Sequence, residues 1–222
     1  MSAIPPEPPN KPRRGCLFYG CFTLSLFFLA ILLAALLGVY RFRRMVVDYT
    51  DTTPRALPVV ALAPGQLEQL ERRVDVFRDA VNARRTTEPL VLTTQEVNAL
   101  ISADPDFAKM KGKVYVKSLE RGRATVMVSL PLADLGFAMF RGRYLNATMS
   151  VAVQFQNGLL DARADAVSAK GKPLTGMYLN KVRTLNLAAA INENARASVG
   201  LNRLQSIQLQ EGQVTLVPKE ER

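Results

Sequence analysis

The residue types that most often carry out catalysis are scarce in this chain, so its chemistry has to be sought among carboxylates and basic residues. The sequence contains no histidine and two cysteines, Cys16 and Cys21, both at the start of an apolar run near the N-terminus. Without histidine the chain lacks the usual general base at neutral pH, the commonest metal ligand and any Ser-His or Cys-His pair. We therefore predict a protein without catalytic, cofactor-binding or metal-binding residues.

Two pairs of carboxylates could still do acid–base work, as in enzymes that use two acids without histidine. Asp104 and Asp106 flank a proline, where the end of a helix and a turn explain them. Asp161 and Asp165 fall on one face of a predicted strand with a basic residue between them, which is typical of a solvated face. A hydrolase that uses carboxylates or a lone serine is the alternative function. Pairing of Asp104 or Asp134 with a buried cation in a cleft would favour it.

Basic residues recur in one pattern, a basic residue, a glycine and a second basic residue, at 111–113, 121–123, 141–143 and 170–172. Glycine there is typical of turns that need a positive φ, and charged neighbours keep turns and strand edges soluble. The net charge of +10 also suits a domain close to anionic headgroups. Both interpretations stay open: charged turns, or a surface that orients the domain on a membrane. The residues predicted to contact such a surface are Lys111, Lys113, Lys117, Arg121 and Arg123.

Nucleic acid is the rival anion for these residues. The sequence contains no tryptophan and no recognised nucleic-acid-binding motif, and few aromatic residues alternate with the basic ones. We therefore expect no nucleic-acid partner.

The apolar run contains no charged residue between Gly15 and Arg41. About 20 apolar residues in a helix cross the hydrocarbon core, so we predict a transmembrane helix over residues 15–40. A cleaved signal peptide has a shorter apolar run that ends in a small-x-small site, and this run has neither property. We expect an uncleaved single-pass anchor.

The segments around the anchor complete the predicted organisation. Residues 1–14 are rich in proline and without apolar periodicity, which predicts a disordered tail. Residues 41–64 contain three prolines and are predicted to form an extended stalk, followed by an extracytoplasmic domain over residues 65–222. Basic residues flank the anchor on both sides, so the positive-inside rule hardly decides its orientation. The short tail and the large domain favour a tail inside and a domain outside the cytoplasm.

The pattern of the domain changes from helical to strand-like along the chain. Apolar residues recur at helical spacing from Leu67 to Val81, and Thr93 and Glu96 have the spacing of a capping box before a second, short helix. From residue 113 the period is two, and the clearest strand covers 144–155. Asn157 with the following glycine predicts a tight hairpin turn, and a second hairpin closes the chain at Glu211.

One long helix is predicted from Pro173 to about Ala197, between these two hairpins. The order of elements implies an α+β fold, in which an antiparallel sheet packs with one long helix and one or two shorter helices. The returning strand after Asn157 is predicted to put Ala162, Ala164 and Ala166 on one face. Small residues leave room, so we expect an apolar groove between this face and the long helix, unless the helix fills it.

Two motifs give the chain a resemblance to a known family. The segment Thr94-x-Glu96-x-Asn98 with following apolar residues, and the segment 170–174 before a helix, resemble the YpmS-like family of single-pass bacterial membrane-anchored proteins over about residues 90–218. More distantly the chain resembles the tubular lipid-binding domains of bacterial envelopes. The resemblance implies an architecture and an apolar groove rather than an activity, and the helix at 65–85 departs from it.

These observations together predict a non-enzymatic, membrane-anchored domain outside the cytoplasm that binds lipid or another apolar ligand, or scaffolds an envelope protein.

Overall fold

A computed structural model of the protein describes residues 15–134, 136 and 140–219, so the predicted tail at 1–14 lies outside the described residues. The chain divides into two compact units, Met1–Asp48 and Tyr49–Arg222. The first unit contains helix α1 (Gly15–Tyr49), which is long and apolar enough to cross a membrane. Its large apolar side chains between Phe22 and Tyr40 are exposed, which suits a helix surrounded by lipid rather than water.

Helix α1 does not end where its apolar run ends. The sequence predicts the end at residue 40 and a stalk over 41–64, but the helix continues to Tyr49. Charged residues end an apolar run without ending a helix, because arginine is a good helix former. The predicted stalk therefore begins as a helix.

The second unit alternates helices and antiparallel strands. Its helices are α2 (Pro64–Asn82), α3 (Thr94–Ala103), α4 (Gly176–Arg183), α5 (Ala189–Glu193) and α6 (Ala195–Leu201), with a 3₁₀ turn at Pro105–Phe107. Its strands are β1 (Leu90–Thr93), β2 (Val114–Glu120), β3 (Arg123–Pro131), β4 (Tyr144–Gln156), β5 (Leu159–Ala169), β6 (Lys172–Pro173), β7 (Leu204–Gln210) and β8 (Gln213–Pro218). The predicted α+β class with antiparallel strands is confirmed.

The strands form two sheets rather than the single sheet predicted. One sheet has the order β2-β3-β4-β5-β6 and the other the order β1-β8-β7, and every pairing is antiparallel. The predicted turns at Asn157 and Glu211 connect β4 to β5 and β7 to β8, with positive φ at both residues of each turn. Both hairpin predictions are confirmed.

The predicted long helix is wrong. Residues 176–201 form three short helices, because the chain between them turns to contact β5. The N–H of Leu187 donates to Ala162 O at 2.8 Å, and the side chains of Asn186 and Asn192 also bond to the β5 backbone. A continuous helix would keep these groups along its own axis and could not bring them to a strand.

Three apolar clusters form the interior of the second unit. One joins α2, α3, β1 and β7 and contains Leu70 and Phe77 of α2, as its apolar periodicity predicts. A second lies on the five-stranded sheet, where Leu179 and Val182 of α4 pack against it. A third lies between β2, β3 and β7. The helix over 65–85, which departs from the resembled family, is thus part of the core.

Candidate functional site

The glycine of every basic triple has a positive φ, the backbone conformation that is typical of turns. The φ angles are 69° at Gly112, 74° at Gly122, 76° at Gly142 and 73° at Gly171. The second and fourth triples form two-residue hairpin turns, β2 to β3 and β5 to β6, which need positive φ at both positions. The interpretation of the triples as turns is confirmed, whatever else their charges do.

The topology gathers three of the four triples at one end of the five-stranded sheet. In an antiparallel sheet, the starts of β2 and β4 lie beside the ends of β3 and β5, as the pairs Val114↔Val128 and Ala147↔Ala169 require. We call this the basic end, defined by residues 111–113, 141–143 and 170–172. Residues 121–123 lie at the opposite end of β2.

The predicted anionic-surface contacts are therefore divided. Lys111 and Lys113 lie at the basic end, Lys117 lies at an irregularity within β2, and Arg121 and Arg123 lie at the opposite end. The seven residues of β2 separate Lys113 from Arg121, and the eight steps along the chain span about 26 Å at ~3.3 Å per residue. Lys111 and Lys113 therefore do not share one local patch with Arg121 and Arg123, because a strand keeps its two ends apart, and contact of these residues with an anionic surface stays a prediction.

Each triple also commits one basic side chain to a contact within the domain. Lys113 Nζ lies 2.8 Å from Asp134 Oδ2, and Arg123 Nε lies 2.9 Å from Asp165 Oδ2. Arg143 Nε donates to the hydroxyl of Thr50 at 2.7 Å. In the last triple, Lys170 Nζ lies 3.3 Å from Asp51 Oδ1.

The other basic residue of each triple is exposed. These residues are Lys111, Arg121, Arg141 and Lys172, whose side chains have no hydrogen bond or ion pair among the described residues.

The segment after α1 is built into the domain, and we call residues 50–55 the strap. Asp51 and Tyr144 exchange two backbone hydrogen bonds of 2.8 and 2.9 Å. Asn146 Nδ2 donates to Asp51 Oδ2 at 2.8 Å and to Thr53 O at 3.0 Å. The N–H of Arg55 lies 3.0 Å from both Ser129 Oγ and Asn146 Oδ1. The predicted stalk is thus held on the polar face of β3 and β4.

The carboxylate of Asp51 is stabilised in its charged form by this arrangement. The hydrogen bond from Asn146 lowers the pKa of Asp51, partial burial opposes it, and the ammonium of Lys170 lowers it further. The net effect is a pKa of Asp51 below its usual value.

Asparagine side chains close the edges of the five-stranded sheet. On β2, buried Asn98 donates to Val116 O at 2.7 Å and accepts from Val116 N at 2.8 Å. On β5, Asn186 and Asn192 bond to the backbone of Leu160, and Asn186 also accepts from Ala162 N. An amide side chain offers the same donor and acceptor as a peptide unit, so each replaces a missing strand.

Sequence reasoning did not find these asparagines. Asn98 entered only as part of a motif, and Asn146 only as one residue within the strand predicted over 144–155. Asparagine is depleted in strands, so the presence of Asn146 within β4 is the one available signal that its side chain has a specific partner.

The predicted apolar groove residues do not share one face. Ser150 pairs with Ala166 but Val151 pairs with Ala164, so Asp165 is the extra residue of a bulge. Ala164 is fully buried, Ala162 is half-buried and Ala166 is exposed. The single face predicted for them is wrong at Ala166, because a one-residue bulge reverses the facing of the rest of the strand. Above Ala164, side chains of α4 fill the space.

An open cleft of about 680 Å³ lies between α2 and the outer edge of β1. Its lining includes Val76, Phe77 and Val91, and Arg72 and Arg73 lie at its rim. Arg73 donates to Val91 O at 2.6 Å, so it also covers the free edge of β1.

Glu96 connects α2 to this edge. Its carboxylate lies 2.7 Å from Arg73 Nη1 and accepts from the N–H of Thr93 at 2.8 Å, which confirms the predicted capping box. Partial burial raises the pKa of Glu96, but the Thr93 N–H and the Arg73 guanidinium more than offset burial and leave the pKa lowered.

Three carboxylates of the second unit pair with cations at its surface. Asp134 pairs with Lys113, Asp161 with Arg163 and Asp165 with Arg123, and all of these side chains are more than one-third exposed. Within residues 15–134, 136 and 140–219, no group of three or more acidic, histidine or cysteine side chains could hold a metal ion.

Comparison with known proteins gives no match to a family model, a curated protein or a solved structure.

Proposed function

We propose that this chain is a single-pass, membrane-anchored and non-enzymatic module that presents a rigid α+β domain outside the cytoplasm and scaffolds an envelope protein there. The observation that carries the proposal is the strap. The residue after α1 is Thr50, and from that residue to Arg55 the chain is bonded to β3 and β4. A flexible linker would leave the domain free to reorient about its attachment point. The hydrogen-bonded strap instead fixes the position at which the chain enters the domain.

The closed strand edges support the same proposal. An open edge pairs with other chains without selectivity, and side chains cover backbone groups on β1, β2 and β5. A domain with protected edges stays monomeric until a specific surface is engaged, which is what a scaffold needs.

Protease digestion of spheroplasts tests the orientation on which this proposal depends. The full chain carries one tag before residue 1 and another after residue 222. Added protease should remove the C-terminal tag and digest the domain while the N-terminal tag survives. A cytoplasmic marker protein should remain intact as the control. If the domain is protected until the membrane is permeabilised, the proposed extracytoplasmic role is wrong.

Binding of lipid or another apolar ligand is the second candidate function, and the cleft between α2 and β1 favours it over the predicted alanine face. Val76 is 66% exposed at this cleft, and the exposed guanidinium group of Arg72 suits the anionic head of an amphiphile. Mass spectrometry of the purified full chain should then detect bound lipid. Val76→Gln should reduce its occupancy, whereas Val59→Gln, the same change at an exposed valine outside this cleft, should not. Lipid-free protein, or equal effects of both changes, would exclude this cleft as a lipid site.

A carboxylate-dependent hydrolase remains the alternative with least support. Such an enzyme needs a carboxylate whose partner is buried in a cleft, and the partner of Asp134 is the surface residue Lys113. Both side chains of this pair are more than one-third exposed, so the pair lies at the surface rather than in a cleft.

A further inference from the structure

We infer that the basic end of the five-stranded sheet is a binding surface for anionic lipid headgroups of the membrane that α1 enters. The inference rests on the proposed anchoring and adds the ligand and the residues that contact it. The ligand chemistry is a layer of phosphate-bearing headgroups, and the contacts come from the exposed residues Lys111, Arg141 and Lys172.

The number of residues between the apolar run and the strap limits how far this end of the sheet can lie from the membrane surface. Thr50 directly follows the last residue of α1 and is held by Arg143 of the third triple. Nine residues, from Arg41 to Tyr49, separate the apolar run from Thr50. As a helix they extend at most about 14 Å, at ~1.5 Å per residue. This distance is similar to the ~10 Å over which charges act at 0.1 M salt.

Basic residues outnumber acidic ones at this end, and several of the basic side chains are exposed. The acids that contact the three triples are Asp51 and Asp134, and the triples themselves contribute six bases. Asp51 and Asp134 already pair with Lys170 and Lys113, so these bases serve the fold. The exposed side chains of Lys111, Arg141 and Lys172 remain available to headgroups.

An exposed apolar residue lies beside these charges. Met110 precedes Lys111 and is 40% exposed. A long apolar side chain next to a basic one suits the boundary between headgroups and acyl chains, where the charge contacts phosphate and the apolar part leaves water.

The test uses the full chain in lipid nanodiscs, made either of phosphatidylcholine alone or of phosphatidylcholine mixed with phosphatidylglycerol. Hydrogen–deuterium exchange of the backbone amides at 109–113 and 170–172 reports whether the basic end is covered. Three basic residues near an anionic surface shift the docked population by on the order of 100-fold before screening. We expect several-fold slower exchange at the basic end in the anionic nanodiscs and no change at 121–123.

Two matched variants separate the position of the charges from their number. Lys111→Gln, Arg141→Gln and Lys172→Gln together should abolish the difference between the two kinds of nanodisc. Lys117→Gln, Arg121→Gln and Lys181→Gln together remove the same charge away from the basic end and should preserve it. Raising salt from about 0.1 M to 1 M should weaken the protection, because the screening length falls from ~10 Å to ~3 Å. Urea unfolding of both variants verifies that the fold is unchanged.

Several outcomes would overturn the inference. Equal exchange in neutral and anionic nanodiscs would exclude headgroup binding, and equal protection at 121–123 would show a non-specific charge effect. Protection by inorganic phosphate or by nucleic acid in neutral nanodiscs would assign the basic end to a soluble anion instead. Nanodiscs expose both membrane surfaces, so this test does not depend on orientation and fails independently of the spheroplast experiment.

Discussion

At the scale of single residues, the most consequential side chains in this protein are asparagines that act as short pieces of strand. Asn98, Asn186 and Asn192 each bond to the backbone of an edge strand, and Asn146 bonds to the strap. An unpaired buried peptide group costs free energy comparable to a lost hydrogen bond, so these side chains let the sheet end without a further strand. These bonds give the asparagines a structural role.

The first prediction concerns Asn98, which is 3% exposed. Asn98→Ala should lower the free energy of unfolding by about 2–4 kcal/mol, because it leaves the N–H and C=O of Val116 buried without partners. Urea unfolding of the full chain in detergent, followed by circular dichroism, measures the loss. Gln95→Ala, on the exposed side of the same helix, should change stability by about 0.5 kcal/mol or less. A loss below ~1 kcal/mol for Asn98→Ala would mean that water replaces the amide.

At the scale of elements, two local devices decide which side chains face the core. The bulge at Asp165 reverses the facing of the rest of β5, so that Val167 rather than Ala166 is buried. The tight turns set the register of the strands they connect. In the turn between β4 and β5, Gly158 also lies against Asn202.

Replacing glycine by alanine at two turns should distinguish the cost of backbone strain from the cost of a steric clash. Gly158 and Gly171 have φ of 78° and 73°, so alanine at either is strained by roughly 1 kcal/mol. A Cβ at Gly158 would lie 2.1 Å from Asn202 Oδ1 and 3.1 Å from Asn202 Cα, whereas a Cβ at Gly171 meets nothing within 4 Å. Gly158→Ala should therefore cost about 1–2 kcal/mol more than Gly171→Ala in urea unfolding.

The excess cost should depend on Asn202. In an Asn202→Ala background part of the difference between the two glycine variants should disappear, because the shorter side chain makes room. Equal costs at both glycines in the original background would show that the turn moves away from Asn202 freely.

The edge of β5 provides a prediction about assembly. Asn186→Ala and Asn192→Ala together should free the backbone groups of Leu160 and Ala162, speed their hydrogen exchange and promote dimers through edge pairing. Exchange measured by mass spectrometry and size-exclusion chromatography with light scattering report the two effects. Asn180→Ala, an exposed change on α4, is the control and should do neither. Unchanged exchange in the double variant would mean that the α4–α5 connection still covers the edge.

At the scale of the whole molecule, two carboxylates join separate parts of the second unit, and both have a lowered pKa. Asp51 joins the strap to β4, and Glu96 joins α3 to α2. A pKa that is lower in the folded state than in the unfolded state adds stability above the unfolded pKa. That stability is lost as the pH falls through the folded pKa.

The free energy of unfolding should therefore be nearly constant above about pH 5 and should fall below about pH 4, where unfolded Asp and Glu begin to bind protons. Asp51→Asn should lower stability at pH 7 and make the decline between about pH 5 and pH 3 shallower, because one linked carboxylate is gone. Urea unfolding over this pH range measures both effects, with Glu71→Gln on the exposed side of α2 as the control. A decline as steep as in the unchanged protein would remove Asp51 from the explanation.

Features that depend only on neighbouring residues follow directly from the sequence. The apolar run gives a helix able to span a membrane, the spacing from Leu67 to Val81 gives the buried face of α2, and the Thr93–Glu96 spacing gives a capping box. Alternation gives the two faces of β4, and glycine gives the turns. Each follows from local sterics or from a period of two or 3.6 residues, which can be read along the chain.

Which of these features come into contact is set by the tertiary structure. It brought three basic triples to one end of a sheet and left the fourth about 26 Å away, placed one alanine of the predicted face on the other side of β5, and divided one long helix into three. It also turned the expected stalk into a strap held by Asn146. These outcomes depend on strand order, on one bulged residue and on bonds between residues about 90 positions apart, and no local period contains that information.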